Sequence, residues 1–278
     1  MPVQDETTDL DAMYRMPVVF GPAPGPRNLP RSRRHLRYAG DALALSVIAT
    51  CDAAALRALL PERFSLPGEA VVEVSVMQLT NVGWLAGRGY NIVSVVIPAV
   101  FDGADGPVEG GFMPVLWESM ADPILTGREE LGFPKLPAEI PDPRCLDGAW
   151  TIEALWQGYR FFEMELTDLS DSREPAPPPK PGLFLKYMPT TGQWGQADVQ
   201  QVTTTGAGVP SGQAPTITVH ERKAGKGSFR FHAARWQDMP TQYPIVNALA
   251  QLEPTEFRMA TLVRRSGQGD VSSQIILA

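Results

Sequence analysis

Hydrophobic and polar positions alternate along most of this chain with the period of a strand. DALALSVIA (41–49) is small and branched. AVVEVSVMQL (70–79) sets Val72, Val74 and Val76 on one face and Val71, Glu73 and Ser75 on the other, and IVSVVIPAVF (92–101) is an apolar run with Pro98 near its end. Between the first two, DAAALRALLPERF predicts a short helix over about residues 53–60, capped by Asp52 and stopped by Pro61. Residues 150–169 read as two strands meeting in a hairpin turn at Gly158. LFLKYMP, DVQQVTTTGAGV, APTITVHER and GSFRFHAA add further strands, and the tail adds two more around a turn at Gly267 and Gly269. PIVNALAQL (244–252) predicts a second short helix with Pro244 in its first turn.

The pattern predicts a mainly β protein: an antiparallel sheet closed into a barrel-like core, with a few short helices. Residues 172–182 hold five prolines and read as a surface loop inside one domain. Residues 1–40, rich in proline and glycine and carrying the basic run RSRRHLR (31–37), read as an extended arm, and residues 41–278 as one domain.

Composition narrows the function. Of 278 residues, 44% are hydrophobic and 20% charged, enough to build a core and to exclude disorder of the whole chain. A net charge of −7 with no dense Lys/Arg stripe argues against nucleic acid and anionic membranes as partners. Cys51 and Cys145 cannot build a disulfide framework or a cysteine zinc site, and read as reduced, mostly buried thiols. No positive segment followed by an apolar run opens the chain, and no uncharged apolar run reaches ~18 residues, so a cytoplasmic location is expected. His35, His220 and His232 lack metal-site spacing, and G-x-S-x-G, Walker and dinucleotide motifs are absent. No metal and no cofactor are expected.

One segment carries chemistry. GREELGFPKLP (127–137) sets a lone Lys135 among Phe133, Pro134, Leu136 and Pro137. A lysine so placed either snorkels its ammonium to water or loses its proton. In the second case burial lowers a pKa from ~10.4 by as much as ~3–5, which leaves free amine near neutral pH.

The segment resembles the acetoacetate decarboxylase superfamily, whose G-R-E-x-x-x-[YF]-P-K motif is matched by Gly127, Arg128, Glu129, Phe133, Pro134 and Lys135. CDAAALRALLPERF resembles the family's helix after the first strand, IVSVVIPAVF its I-P-V strand, and the likeness runs over about residues 16–278. It implies a cone-like β barrel and a lysine that forms a Schiff base with a ketone. The imine then draws electrons from the adjacent carbon without a cofactor. A small-molecule ketone or keto acid is the implied ligand, and a homo-oligomer the implied assembly.

Departures from the family pattern shift the expected reaction. The second lysine after the nucleophile is Leu136 here, which leaves desolvation by Phe133, Leu131 and Leu136 to lower the Lys135 pKa. The family's catalytic glutamate aligns with Ile92, and its substrate-binding arginine with Asp41, although Arg37 is near enough to substitute. The acid–base groups closest to hand are Tyr90, two residues from Ile92, and Glu118 or Glu129 flanking the lysine segment, of which Tyr90 shares a strand face with Ile92. Lys135, Tyr90 and Glu118 are therefore the candidate catalytic residues. Arg128, Glu129, Phe133, Ile92, Leu131, Leu136, Tyr243 and Arg37 are the candidate substrate-binding residues, Arg128 and Glu129 doubling as a structural charge pair. The implied activity is a Schiff-base lyase on a keto acid or polyketide-like ketone, of aldolase, dehydratase or cyclase type. A true β-keto acid decarboxylase and a non-catalytic binding protein are the alternatives.

Overall fold

A computed structural model describes residues 13–173, 180–205, 217–267 and 274–278. The strands are β1 (Asp41–Thr50), β2 (Phe64–Ser65), β3 (Val71–Val82), β4 (Arg88–Gly103), β5 (Gly106–Glu118), β6 (Lys135–Pro137) and β7 (Arg144–Leu146). They continue as β8 (Ala149–Trp156), β9 (Tyr159–Asp171), β10 (Gly182–Pro189), β11 (Ala197–Thr204), β12 (Thr218–Phe231), β13 (Glu256–Ser266) and β14 (Ile275–Ile276). Three short helices accompany them: α1 (Ala53–Ala58), α2 (Ala121–Thr126) and α3 (Tyr243–Ala250). The mainly β expectation holds. The Asp52 carboxylate accepts hydrogen bonds from the amides of Ala54 and Ala55 and so caps α1, and α3 starts one residue before Pro244. The 150–169 hairpin turns through Gln157 and Gly158, both at positive φ.

The strands form one sheet in the order β14-β11-β10-β5-β4-β3-β1-β13-β12-β9-β8-β7, with β2 and β6 paired at the side. The sheet is mainly antiparallel, as expected, with β10 and β6 running parallel to β5 as the exceptions, and among the described residues its ladder is a path from β14 to β7. What encloses the core is curvature. Trp117 on β5 stacks against Phe161 of β9 and Phe231 of β12, with ring centroids 5.0 and 6.2 Å apart. Strands far apart in the ladder thus meet across the interior, as twist and coiling of a long sheet allow. Small β-branched residues from the alternating strands (Val47, Val74, Val76, Val93, Val95) fill the space between these aromatics and are fully buried.

Residues 13–40 add no strand. The arm is not simply extended: it makes 3-10 turns at Val18–Phe20 and Arg31–Leu36 and is pinned by Asn28, whose side-chain amide donates to the carbonyls of Met13 and Ala23. Cys51 is buried, with its thiol pKa pushed up to about 11 by burial, but Cys145 is exposed on β7. No helix among the described residues is long and apolar enough to cross a membrane. Gly269 and most of the 172–182 loop lie outside the described residues, as do residues 206–216.

Candidate active site

The site forms where β5 ends and β6 begins. Leu116 pairs with Lys135 in parallel register, so the last residues of β5 and the lysine lie side by side. The chain gets from one to the other through α2 and a single π turn, Gly127–Leu131, closed by Gly132 at φ +83°. A π turn holds one more residue than an α turn and is a frequent feature of functional sites. Here it lays Gly127 directly against the lysine. A Cβ at Gly127 would come within 2.4 Å of Lys135 Cε and 2.7 Å of its Nζ. A side chain at this position would therefore displace the end of the lysine side chain and move its amine.

Lys135 Nζ lies 2.8 Å from Glu118 Oε1 and donates a hydrogen bond to the Pro123 carbonyl at 3.0 Å. Its side chain is 13% exposed and that of Glu118 only 1%. No other donor among the described residues reaches either Glu118 oxygen. Burial lowers the lysine pKa and raises that of the carboxyl, against the mutual attraction of the pair. Both groups are thus drawn toward their neutral forms. The Phe133 ring lies 5.3 Å from Nζ and is itself held by Phe184, 4.1 Å between centroids.

The pair opens onto a mainly apolar cavity of about 320 Å³. Of the sequence candidates, Lys135, Glu118, Tyr90, Ile92, Leu131, Phe133 and Arg37 all line it. Tyr90 and Ile92 share one face of β4, as alternation predicts, and burial together with the Glu118 charge pushes the Tyr90 hydroxyl pKa up, so it remains a donor. The Arg37 guanidinium stacks 5.3 Å from the Tyr38 ring at the cavity wall. Asp41 instead accepts a hydrogen bond from Asn81 Nδ2 at the start of β1.

Four candidates belong elsewhere. Arg128 is exposed and donates to the backbone carbonyl of Lys135 at 2.8 Å; it steadies the lysine's strand from outside, and its partner is not Glu129. Glu129 acts through its carbonyl, which accepts from Lys186 Nζ at 2.7 Å. Leu136, the next residue of β6, is half-buried and packs against the main core. Tyr243 likewise packs on that core from α3, while its neighbour Gln242 accepts a hydrogen bond from Trp117 Nε1 at 2.7 Å.

Sequence reasoning missed Arg27. It reaches the cavity from the N-terminal arm, with Arg15 beside it, and both guanidiniums pair with the buried Glu130 of the π turn. Arg27 adds a small electrostatic push to the lowering of the Lys135 pKa. A cation thus does stand near the lysine, supplied by the arm rather than by the next residue. Nothing in PGPRN announces this, because only the folded arm brings it to Glu130. Met77, Trp84 and Met113 complete the apolar wall. Among the described residues, no cluster of three or more His, Cys, Asp or Glu side chains is placed to hold a metal ion.

Comparison with known proteins places the fold. A search of curated protein sequences finds no match. Among solved structures, an acetoacetate decarboxylase from Legionella pneumophila subsp. pneumophila str. Philadelphia 1 superposes with a TM-score of 0.64 at 21% identity, over 92% of each chain. The enduracididine biosynthesis enzyme MppR, complexed with the condensation product of pyruvate and imidazole 4-carboxaldehyde, gives a TM-score of 0.65 at 14% identity, over 87% of this chain and 89% of that one. An acetoacetate decarboxylase-like enzyme from Sphingomonas wittichii RW1 gives 0.59 at 19%, over 87% and 93%. These likenesses show a shared fold. The family model of acetoacetate decarboxylase (ADC) matches residues 15–256, the arm from residue 15 onward and the lysine segment included, and the chain belongs to that family.

Proposed function

We propose that the protein is a Schiff-base lyase that uses Lys135 on a keto acid or polyketide-like ketone, with a reaction other than simple acetoacetate decarboxylation. The observation that carries this reading is the Lys135–Glu118 pair, buried against an apolar cavity. A buried amine drawn toward its neutral form is a nucleophile, and a carboxyl drawn the same way is a proton donor. The amine nitrogen attacks the ketone carbon, and the carbonyl oxygen takes a proton from Glu118 as the carbinolamine forms. Loss of water gives a cationic imine beside the Glu118 carboxylate, which balances its charge. Cleavage of a bond at the carbon next to the imine then sends its electron pair into the imine, giving a neutral enamine and releasing the other fragment as an electrophile, and a proton returned to the enamine carbon from Glu118 or Tyr90 restores the imine. Hydrolysis returns the free lysine.

Ile92 and the apolar wall suit a larger, less charged ketone, with Arg27 and Arg37 as the cations that line the cavity. MppR holds a condensation product in the same fold, which supports a reaction that makes or breaks a bond beside a carbonyl. The direct test is borohydride reduction in the presence of a methyl ketone, followed by peptide mass analysis. A mass increment on the Lys135 peptide, absent in Lys135→Ala, is the expected result. Wild-type protein that acquires no increment with any ketone would refute the reading.

A further inference from the structure

Residues 13–28 of the arm lie outside the sheet and are held together from within. Asn28 accepts a hydrogen bond from the Met13 amide at 3.1 Å and donates to the carbonyls of Met13 and Ala23 at 2.7 and 2.9 Å. Arg15 Nη2 donates to the Pro24 carbonyl at 2.9 Å. Among the described residues, every hydrogen bond and ion pair by which 13–28 reaches beyond the arm ends on Glu130. Arg15 Nε lies 3.3 Å from one carboxylate oxygen, and Arg27 donates to the other through Nε at 2.9 Å and through Nη2. The Glu130 side chain is only 7% exposed and belongs to the same π turn as Gly127, yet it is not a wall of the lysine cavity. The arm is: Pro26, Arg27, Arg37 and Tyr38 all line that cavity, and Gly25 rests against Thr126 of α2. Part of the enclosure around the amine is thus built from a segment fastened at a single buried carboxylate.

We propose that Glu130 is a positioning residue that acts on Lys135 through the arm: by fastening residues 13–28 to the π turn it keeps Pro26 and Arg27 over the cavity and water away from the amine. The ionisable groups that share the cavity with the amine are Glu118 from β5, Tyr90 from β4, and Arg27 and Arg37 from the arm. With the arm fastened, burial and the Arg27 charge lower the lysine pKa against the pull of Glu118. Once it is unfastened, both lowering influences weaken while Glu118 stays in place, and the lysine moves back toward an ordinary ammonium. Loss of the Glu130 charge with the arm still seated would act the other way, since Arg27 would face the amine without its counter-charge. The direction of the change separates the two cases. The proposal concerns the proton on the amine and holds whether or not that amine forms a Schiff base.

The test needs no ketone. Acetylation of Lys135 by acetic anhydride over a range of pH, read by peptide mass, gives the titration midpoint of the amine, and hydrogen exchange of the 13–28 peptide reports whether the arm is seated. In Glu130→Gln the arm should exchange about tenfold faster and the Lys135 midpoint should move up. Arg15→Met removes one of the two ties and leaves the cavity walls as they are, so it should shift both readings in the same directions by less; it decides the question if Glu130→Gln does not fold. Unchanged arm exchange in these variants, faster exchange with an unmoved midpoint, or a midpoint that moves down would overturn the proposal. Failure of borohydride trapping in a wild-type protein that passes this test would count against the Schiff-base reading alone.

Discussion

Ile92 on β4 and Glu118 on β5 are directly opposite each other in the antiparallel ladder, and both face the lysine cavity. Directly opposed residues of such a pair lie on one face within side-chain reach. The acid absent from position 92 is therefore matched by an acid one strand away, 2.8 Å from the amine. Position 92 itself is apolar, and the carboxyl beside the amine comes from the neighbouring strand.

Lys135→Ala should abolish ketone trapping and turnover, and should also destabilise the fold. Removing the amine leaves the Glu118 carboxyl buried without its partner, a cost of about 1–3 kcal/mol. The sign with pH follows from burial, which raises the Glu118 pKa. The folded variant keeps that proton at pH values where the unfolded chain has lost it, so stability falls as pH rises from ~4.3 through the folded pKa. Urea midpoints measured from pH 4 to pH 8 should show the deficit growing with pH and shrinking when Glu118→Gln is added. A deficit that does not change with pH would contradict the pairing.

Glu118→Gln separates the two roles of the carboxylate. Its charge raises the lysine pKa, so its removal should lower that pKa further, while the proton donor is lost. The pH midpoint of ketone trapping should move down by roughly one unit, with a maximal rate reduced about 10²-fold. A midpoint that moves up would show that Glu118 does not hold the ammonium form.

Gly127→Ala tests the fit of the π turn against the lysine. The added methyl needs space now filled by Lys135 Cδ, Cε and Nζ, so the amine must shift. Trapping should slow by about tenfold or more, equivalent to ~1.4 kcal/mol of barrier, with little loss of secondary structure by circular dichroism. Wild-type trapping rates in this variant would show that the contact is not restrictive.

Leu136→Lys restores the residue that follows the nucleophile in acetoacetate decarboxylase, but it should not activate the protein. Side chains alternate along β6, and Leu136 packs against the main core while Lys135 faces the cavity. A charge there disrupts the contact of this half-buried side chain with the core, and the expected outcome is a thermal midpoint several degrees lower with no faster trapping. A gain in rate at neutral pH would place position 136 within reach of the amine.

Much of this protein is legible along the chain because it depends on local patterns. Alternation marks the strands that became β1, β3, β4, β8 and β9, Asp52 and Pro61 bracket α1, and GREELGFPK isolates one lysine among apolar neighbours. Alternation also pairs Tyr90 with Ile92 on one strand face, since the period of two is fixed by the backbone. What depends on register and on contacts between distant segments is decided only by the fold. Glu118 meets Lys135 because β5 and β6 run parallel and in step, and Leu136, the next residue of the same strand, packs against the core instead. Arg27 reaches the cavity only because Glu130, 103 residues along, anchors it on the π turn. The ladder's order and its parallel pairs follow from long-range pairing, which one-dimensional periodicity does not encode. The sequence by itself determined the strands and the lysine; the pairing of distant strands and the docking of the arm decided which charges stand beside it.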